Sequence, residues 1–202
     1  MVRHETAETR RAQLFQAALE VCAENGYHET TVDEIAARCG LSKGSLYYHF
    51  RSKEDLFLSA LEAMVDQFAS LLAQASERET ASEALVHSTE FMIAQVEAHP
   101  KMGLATAEFY LLSLRRPEFR KRIKAYYDKL IEVGVQVVRR GIESGEFDPS
   151  LDSLVATRVL FLGCDGVALM QLVLNEPEHF SGVTRAFVAR TVGSFLNKGN
   201  AK

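Results

Sequence analysis

The stretch that decides the fold runs from residue 31 to residue 50, TVDEIAARCGLSKGSLYYHF. Its first half places Val32, Ile35, Ala36 and Cys39 at i, i+3, i+4 and i+7, the spacing of one apolar helix face. Thr31 precedes Glu34 by three residues, the pairing of a capping box, so a short helix is predicted to begin at Val32. Gly40 supplies the left-handed residue that ends it. Ser42 then offers an oxygen to cap another short helix, over 43–49. Two short helices joined by CGLS have helix-turn-helix spacing, in which the turn glycine lets the second helix cross the first steeply. Ile35, Ala36, Leu41, Leu46 and Phe50 are expected to face inward. Lys43, Gly44, Ser45, Tyr47, Tyr48 and His49 are left to share the outer faces.

Upstream, residues 6–25 read as a helix with Leu14, Phe15, Ala18, Leu19 and Cys22 in one stripe and Gly26 as its stop. Downstream, Ser52 and Asp55 form a capping signature that opens a long helix over 53–75. A polar connector, SERETASEA (76–84), carries Thr80 and Glu83 as a further cap pair. Helices are expected near 81–98, 101–114, 118–144, 150–175 and 183–197, and RRGIESGEFDPS (139–150) is the clearest turn. The four prolines, Pro100, Pro117, Pro149 and Pro177, all fall in this half, each suited to a helix start or loop. Strand patterns are nearly absent. The chain therefore reads as all-α: an N-terminal three-helix helix-turn-helix domain over 1–55, then a larger C-terminal helical bundle over 56–202.

With 202 residues, 47% of them hydrophobic, the chain can bury a sizeable core and has no room for a long disordered tract. Its net charge of -4 speaks against a nucleic-acid binder as a whole, so such a role must rest on local charge. Residues 1–55 hold seven Lys and Arg against nine Asp and Glu. Between 35 and 53, however, Arg38, Lys43, Arg51 and Lys53 stand without an acid. A duplex at close range meets that patch, because charges beyond a Debye length of roughly 8–10 Å are screened. Helix N-terminal N–H groups, lysine amines, tyrosine hydroxyls and an imidazole all donate to phosphate oxygens. Of the adjacent Tyr47 and Tyr48, at least one must point away from the core, and Arg51 belongs to a solvated loop.

Other chemistries find little support. Cys22, Cys39 and Cys164 are far apart and form neither a disulfide framework nor a CxxC pair. The opening MVRHETAETRRAQLF lacks the apolar centre of a signal peptide. The longest apolar run, VLFLGCDGVALMQLVL (159–174), is shorter than a membrane span and contains Asp165 and Gln171, so it is expected as a helix buried in protein. EPEH (176–179) matches the ExxH pair of di-iron bundles but contains Pro177 and has no second copy. HSTE (87–90) is likewise single. No catalytic grouping, metal site or cofactor motif is expected, and a reducing compartment is the default.

The segment FQAALEVCAENGYHETTVDEIAARCGLSKGSLYYHFRSKEDLF (15–57) resembles the DNA-binding domain of the TetR family of bacterial transcriptional regulators. NGY, TTVDEIA, GLSKGSLYYHF and Lys53 followed by Leu56 carry the likeness. It implies a homodimeric, all-α, cytoplasmic repressor, nucleoid-associated when bound, that releases a palindromic operator when a small molecule fills the C-terminal domain. Carried over by position, the family's DNA contacts fall on Thr31, Ser42, Lys43, Gly44, Ser45, Tyr47, Tyr48, His49 and Lys53. Thr31 and Lys53 would meet phosphates; Tyr47, Tyr48 and His49 would sit on the backbone. Some relatives carry a base-reading Arg where this chain has Val32, which shifts sequence reading to Lys43 and Ser45.

In the C-terminal part, Phe68, Phe91, Phe109, Tyr110, Tyr126, Tyr127 and Phe161 either ring a pocket or form a core stripe; a pocket of this kind suits a hydrophobic or aromatic effector. Asp165, between Gly163, Cys164 and Gly166 in an apolar helix, must be paired, hydrogen-bonded or solvated. Its partner is either a structural group such as Arg158, a group of a dimer mate, or a ligand whose cavity it lines. Leu154, Val155, Val159, Leu162, Phe187, Val192 and Phe195 give the last two helices more apolar surface than one subunit covers, which points to a four-helix dimer interface. The helix over 53–75, shared by both halves, is the expected transmitting element.

Overall fold

The structure, a computed structural model, describes residues 7–98, 102–176 and 179–197. Pro100 and Pro177 lie outside these residues. Among the described residues there are nine helices and no strand: α1 (Ala7–Asn25), α2 (Val32–Arg38), α3 (Lys43–His49), α4 (Lys53–Arg78), α5 (Ala81–Ala98), α6 (Met102–Arg115), α7 (Pro117–Glu143), α8 (Ser153–Leu174) and α9 (Phe180–Phe195). The protein is all-α. A lone antiparallel bridge joins Phe147 to Leu196.

Local chemistry explains most helix ends. Thr31 and Glu34 form the complete capping box of α2, and Gly40 turns the chain at φ +64°. Ser42 Oγ accepts from the Ser45 N–H at 3.2 Å and caps α3. At Ser52 the expected reciprocal pair is only half made: Asp55 N–H donates to Ser52 Oγ, while the Asp55 carboxylate turns to the Arg51 N–H. The connector expected over 76–84 shrinks to Glu79 and Thr80, because α4 continues through Arg78. The start of α8 moves from 150 to Ser153, since Asp152 Oδ1 takes the Leu154 and Val155 N–H groups. The last helix starts at Phe180 and ends at Phe195, earlier than expected at both ends.

The chain forms two compact units, 1–64 with 101–123, and 65–100 with 124–202. The boundary expected near residue 55 falls inside the first unit, which also takes in α6 and the start of α7. Its core is Leu14, Ala18, Ile35, Leu46, Leu56, Phe57, Phe109 and Phe119, all fully buried. Tyr27 lies edge-on to Phe57 and Phe109, each at 5.4 Å between centroids. Aromatic pairs in this geometry add to the hydrophobic gain of burial.

The second unit packs Leu72, Leu85, Val138, Leu160, Phe161, Val188, Val192 and Phe195 with Phe147 into one cluster. Gly163 permits a close approach: a Cβ there would stand 2.1 Å from Phe187 Cζ. Glu146 caps α5 from a distance, accepting from the Ala81 and Ser82 N–H groups at 2.8 and 2.9 Å.

The run 159–174 is not buried as expected. Cys164, Phe161 and Leu160 face the core, but Val159, Leu162, Leu169, Met170, Val173 and Leu174 are exposed. By length and composition alone, α4 and α8 are each long and apolar enough to cross a membrane. Each lays one face into a helical core, Leu56, Phe57 and Leu72 from α4, Ala156, Leu160 and Cys164 from α8.

Candidate nucleic-acid interface

Two anchors fix α3. Leu46 is completely buried, and Phe50 packs its ring 5.5 Å from Phe15 with the Arg11 guanidinium 4.9 Å above it. A seven-residue helix pinned by that side must turn its other side outward. Tyr47 and Tyr48 are 46% and 87% exposed, so both leave the core. The His49 ring stands edge-on to Tyr48 at 5.2 Å. Ser42, Lys43 and Gly44 are exposed at the helix start, and Ser45 is half-buried. A Cβ added at Gly44 would meet only Ser42 Oγ at 3.9 Å, so nothing within the chain excludes a side chain there.

Thr31 is exposed but engaged. Its Oγ1 accepts from the Glu34 N–H at 3.2 Å and donates to Glu34 Oε2 at 2.8 Å. Hydrogen bonds from the Thr31 backbone and side chain hold the Glu34 carboxyl below the usual range. Val32 is buried in the core.

The acid-free patch is a feature of the sequence and not of the surface. Arg38 makes a two-pronged bond to Glu24, at 2.9 and 2.7 Å, and lies 3.8 Å from Glu20. Lys43 pairs with Asp33 at 2.8 Å. The neutralising acids come from α1 and α2, brought alongside by the crossing of the helices.

Lys53 also departs from expectation. Its ammonium donates to the carbonyls of Tyr27 (2.7 Å) and Thr30 (2.8 Å), reaches that of His28 (3.4 Å), and sits 4.5 Å over the Tyr27 ring. All three of its donors are thus directed into the α1–α2 loop, and in this conformation none is left for a phosphate. From the other side the Glu108 carboxylate of α6 accepts the Tyr27 N–H.

The residues expected to line a pocket separate. Phe109 is fully buried in the first unit, stacked on Phe119 at 6.3 Å, so it belongs to a core; Tyr110 lies in the same unit. In the second unit, Phe68 stands edge-on to Phe161 at 6.0 Å, both against the main cluster. Tyr126 and Tyr127 pair at 5.0 Å, and the Tyr127 hydroxyl donates to Asp165. This tyrosine supplies the hydrogen bond that the sequence required for Asp165. Phe91 is half-buried on α5.

The dimer residues also divide. Leu154, Val155, Val159 and Leu162 form an exposed apolar face on α8. Val192 and Phe195 are buried in the subunit's own core and are corrected to internal packing, while Phe187 packs across Gly163 and is half-buried. An open groove of about 450 Å³ runs beside Val155 and Val159, with Arg190 and Ser194 of α9 on its other wall. Burial pushes the Cys22 and Cys164 thiols up to about 12, which keeps both protonated. Among the described residues no three His, Cys, Asp or Glu side chains are grouped to hold a metal ion.

Sequence reasoning missed Lys53's structural role, Glu108, and Arg122, whose guanidinium holds Asp55 and Glu62 of α4. A signal for Arg122 existed: Asp55, Ser59 and Glu62 recur on one stripe of α4 and need a cation.

A buried-anchor helix-turn-helix with an exposed recognition helix, joined to a helical bundle, defines a DNA-binding regulator. Residues 14–60 match the family described as bacterial regulatory proteins, tetR family, and residues 76–194 match a tetracyclin repressor-like C-terminal domain. The chain belongs to the TetR family and is a transcriptional regulator, not an enzyme. It is 32% identical over 191 residues to the fatty acid metabolism regulator protein of Bacillus subtilis, covering 92% of this chain and 95% of the relative. It is 48% identical over 68 residues to the transcriptional activator FasR of Mycolicibacterium smegmatis, 34% of this chain and 31% of that one. The crystal structure of FadR from Bacillus subtilis in complex with stearoyl-CoA superposes with a TM-score of 0.77 at 25% identity, covering 91% of this chain and 98% of that one.

Proposed function

We infer that the protein is a cytoplasmic homodimeric repressor whose two α3 helices enter successive major grooves of a palindromic operator, and that a long-chain acyl-CoA releases it. Lys43, Gly44 and Ser45 read bases; Thr31, Ser42, Tyr47, Tyr48 and His49 position the helix on phosphates. The exposed α8 face of Leu154, Val155, Val159 and Leu162 supports the dimer, because a two-fold axis lets one apolar patch cover its copy. The observation that supports the effector class is the likeness to the Bacillus subtilis FadR structure in complex with stearoyl-CoA, beside the 32% identity to a fatty acid metabolism regulator over nearly the whole chain. Phe68, Phe91, Tyr126, Tyr127 and Phe161, with Asp165, are the side chains of the second unit that suit a long apolar ligand with one polar contact. Release is a population shift: the effector lowers operator affinity only by its preference for the state whose reading heads are misplaced.

A gel shift on the DNA upstream of the protein's own gene, repeated with stearoyl-CoA, tests this reading. The expected result is a retarded band at nanomolar protein that micromolar stearoyl-CoA abolishes while free stearate leaves it intact. Binding that stearoyl-CoA leaves unchanged would remove the effector assignment, and no shift even at low salt would remove the operator.

A further inference from the structure

Arg122, near the start of α7, is half-buried and makes four hydrogen bonds to α4. Its Nε and Nη2 donate to the two oxygens of Glu62, each at 2.7 Å; Nη1 donates to Asp55 Oδ1 at 2.9 Å, and Nη2 also reaches Ser59 Oγ at 3.0 Å. The three acceptors lie at i, i+4 and i+7, so one planar fork spans two turns of α4. Lysine, a point charge with three donors, cannot reproduce that grip.

Asp55 has a second task. Its other oxygen accepts the Arg51 N–H at 3.1 Å, and its own N–H donates to Ser52 Oγ at 3.1 Å. Arg51 follows Phe50, the C-cap of α3. One carboxylate therefore holds both the cation of α7 and the turn from which the recognition helix departs. α4 and α7 each continue without a break into the second unit, so a displacement along either helix arrives at this joint through the helix itself.

We propose that Arg122 is a positioning residue for operator binding: it locks the start of α7 to α4 and, through Asp55, fixes the turn that aims α3, so that a shift of α7 along α4 re-aims the recognition helix. The regulatory half of this rests on the acyl-CoA reading above; the positioning half does not.

The discriminating comparison is between the two carboxylates that Arg122 grips, since only Asp55 reaches the α3–α4 turn. Arg122→Met, Asp55→Asn, their double variant and Glu62→Gln are made in the full chain. Operator affinity is measured by fluorescence anisotropy across a salt series, at a temperature where circular dichroism shows each variant folded. Arg122→Met and Asp55→Asn are expected to weaken binding about tenfold each, equivalent to ~1.4 kcal/mol. The double variant should be no weaker than either single one, because both act through one chain of contacts. The slope of log K against log salt should stay unchanged, since no phosphate contact is lost. Glu62→Gln should bind within about twofold of wild type.

Wild-type affinity in folded Arg122→Met, additive losses in the double variant, or an equal loss in Glu62→Gln would each overturn the positioning role. Should Arg122→Met not fold, Arg122→Lys keeps the charge without the fork and carries the same expectation at about threefold. Stearoyl-CoA is the probe for the regulatory half. Arg122→Met should bind it as wild type does in the absence of DNA, yet lose most of the release. Full release in that variant would overturn the coupling. If wild type does not bind stearoyl-CoA, the effector reading fails, and the operator measurements still decide the joint.

Discussion

The Lys53 ammonium donates to the carbonyl of Thr30 at 2.8 Å, one residue before the capping box that starts α2. A lysine placed there looks like a phosphate ligand in the sequence and acts as a brace in the fold. Lys53→Met strips donors from the carbonyls of Tyr27 and Thr30, and a lost hydrogen bond to a charged group costs about 1–3 kcal/mol. Urea denaturation should report that loss. Operator affinity should fall with it while the salt slope holds; a slope smaller by about one would mean that Lys53 reaches a phosphate after all.

Gly44 separates folding from binding. With open space around its missing Cβ, Gly44→Ala is expected to stabilise the free protein, by up to about 1 kcal/mol from helix propensity alone. The same methyl group should hold α3 away from the groove and weaken operator binding at least about tenfold for every sequence tested. A variant that melts higher and still binds like wild type would show that no close approach occurs at this position.

The capping box makes part of the stability depend on pH. The Glu34 carboxyl lies below its ordinary range in the folded protein because Thr31 donates to it. A depressed folded value means that the stabilisation is complete above the ordinary carboxylate range and fades as pH falls through the folded value. Thr31→Ala should lower the thermal midpoint by a few degrees near neutrality, and the gap to wild type should narrow toward pH 3; Thr31→Ser should restore it. A gap that is constant with pH would detach the effect from Glu34.

The divided dimer residues give opposite outcomes for similar changes. Val159 is 52% exposed and Val192 is 3% exposed. Val159→Asp should leave a folded subunit that sediments as a monomer and binds its operator poorly. Val192→Asp buries a carboxylate among Val188 and Phe195 and should prevent folding outright. A dimeric, operator-competent Val159→Asp protein would move the interface elsewhere.

The helix-turn-helix was legible because its signals are local. A capping box, a turn glycine and an i, i+3, i+4, i+7 stripe all act within a few residues, and each is found in the structure. What sequence could not supply was pairing across elements. Arg38 meets Glu24 from fourteen positions away, Asp165 meets Tyr127 across thirty-eight, and Arg122 meets Asp55 across sixty-seven. The aromatic set failed for a related reason. Phe109 and Phe161 look alike in sequence, and only the packing of the chain into two units sends one to each core.

The pairing of Lys43 with Asp33 has a consequence for how the protein searches a genome. In the proposed reading Lys43 meets DNA, and the Asp33 carboxylate that already holds its ammonium is then an internal rival, so touching DNA becomes an exchange of one partner for another. Both partners are more than half exposed, and such pairs are worth about 0–1 kcal/mol, so the exchange is cheap when α3 is seated and the groove supplies further contacts. Against a random duplex, with few contacts to compensate, the same exchange weakens the grip and shortens each stop. Asp33→Asn is therefore expected to raise affinity for non-specific DNA more than for the operator, measured as the ratio of the two at one salt concentration. That outcome would make Asp33, an acid of α2, a determinant of selectivity through its hold on Lys43.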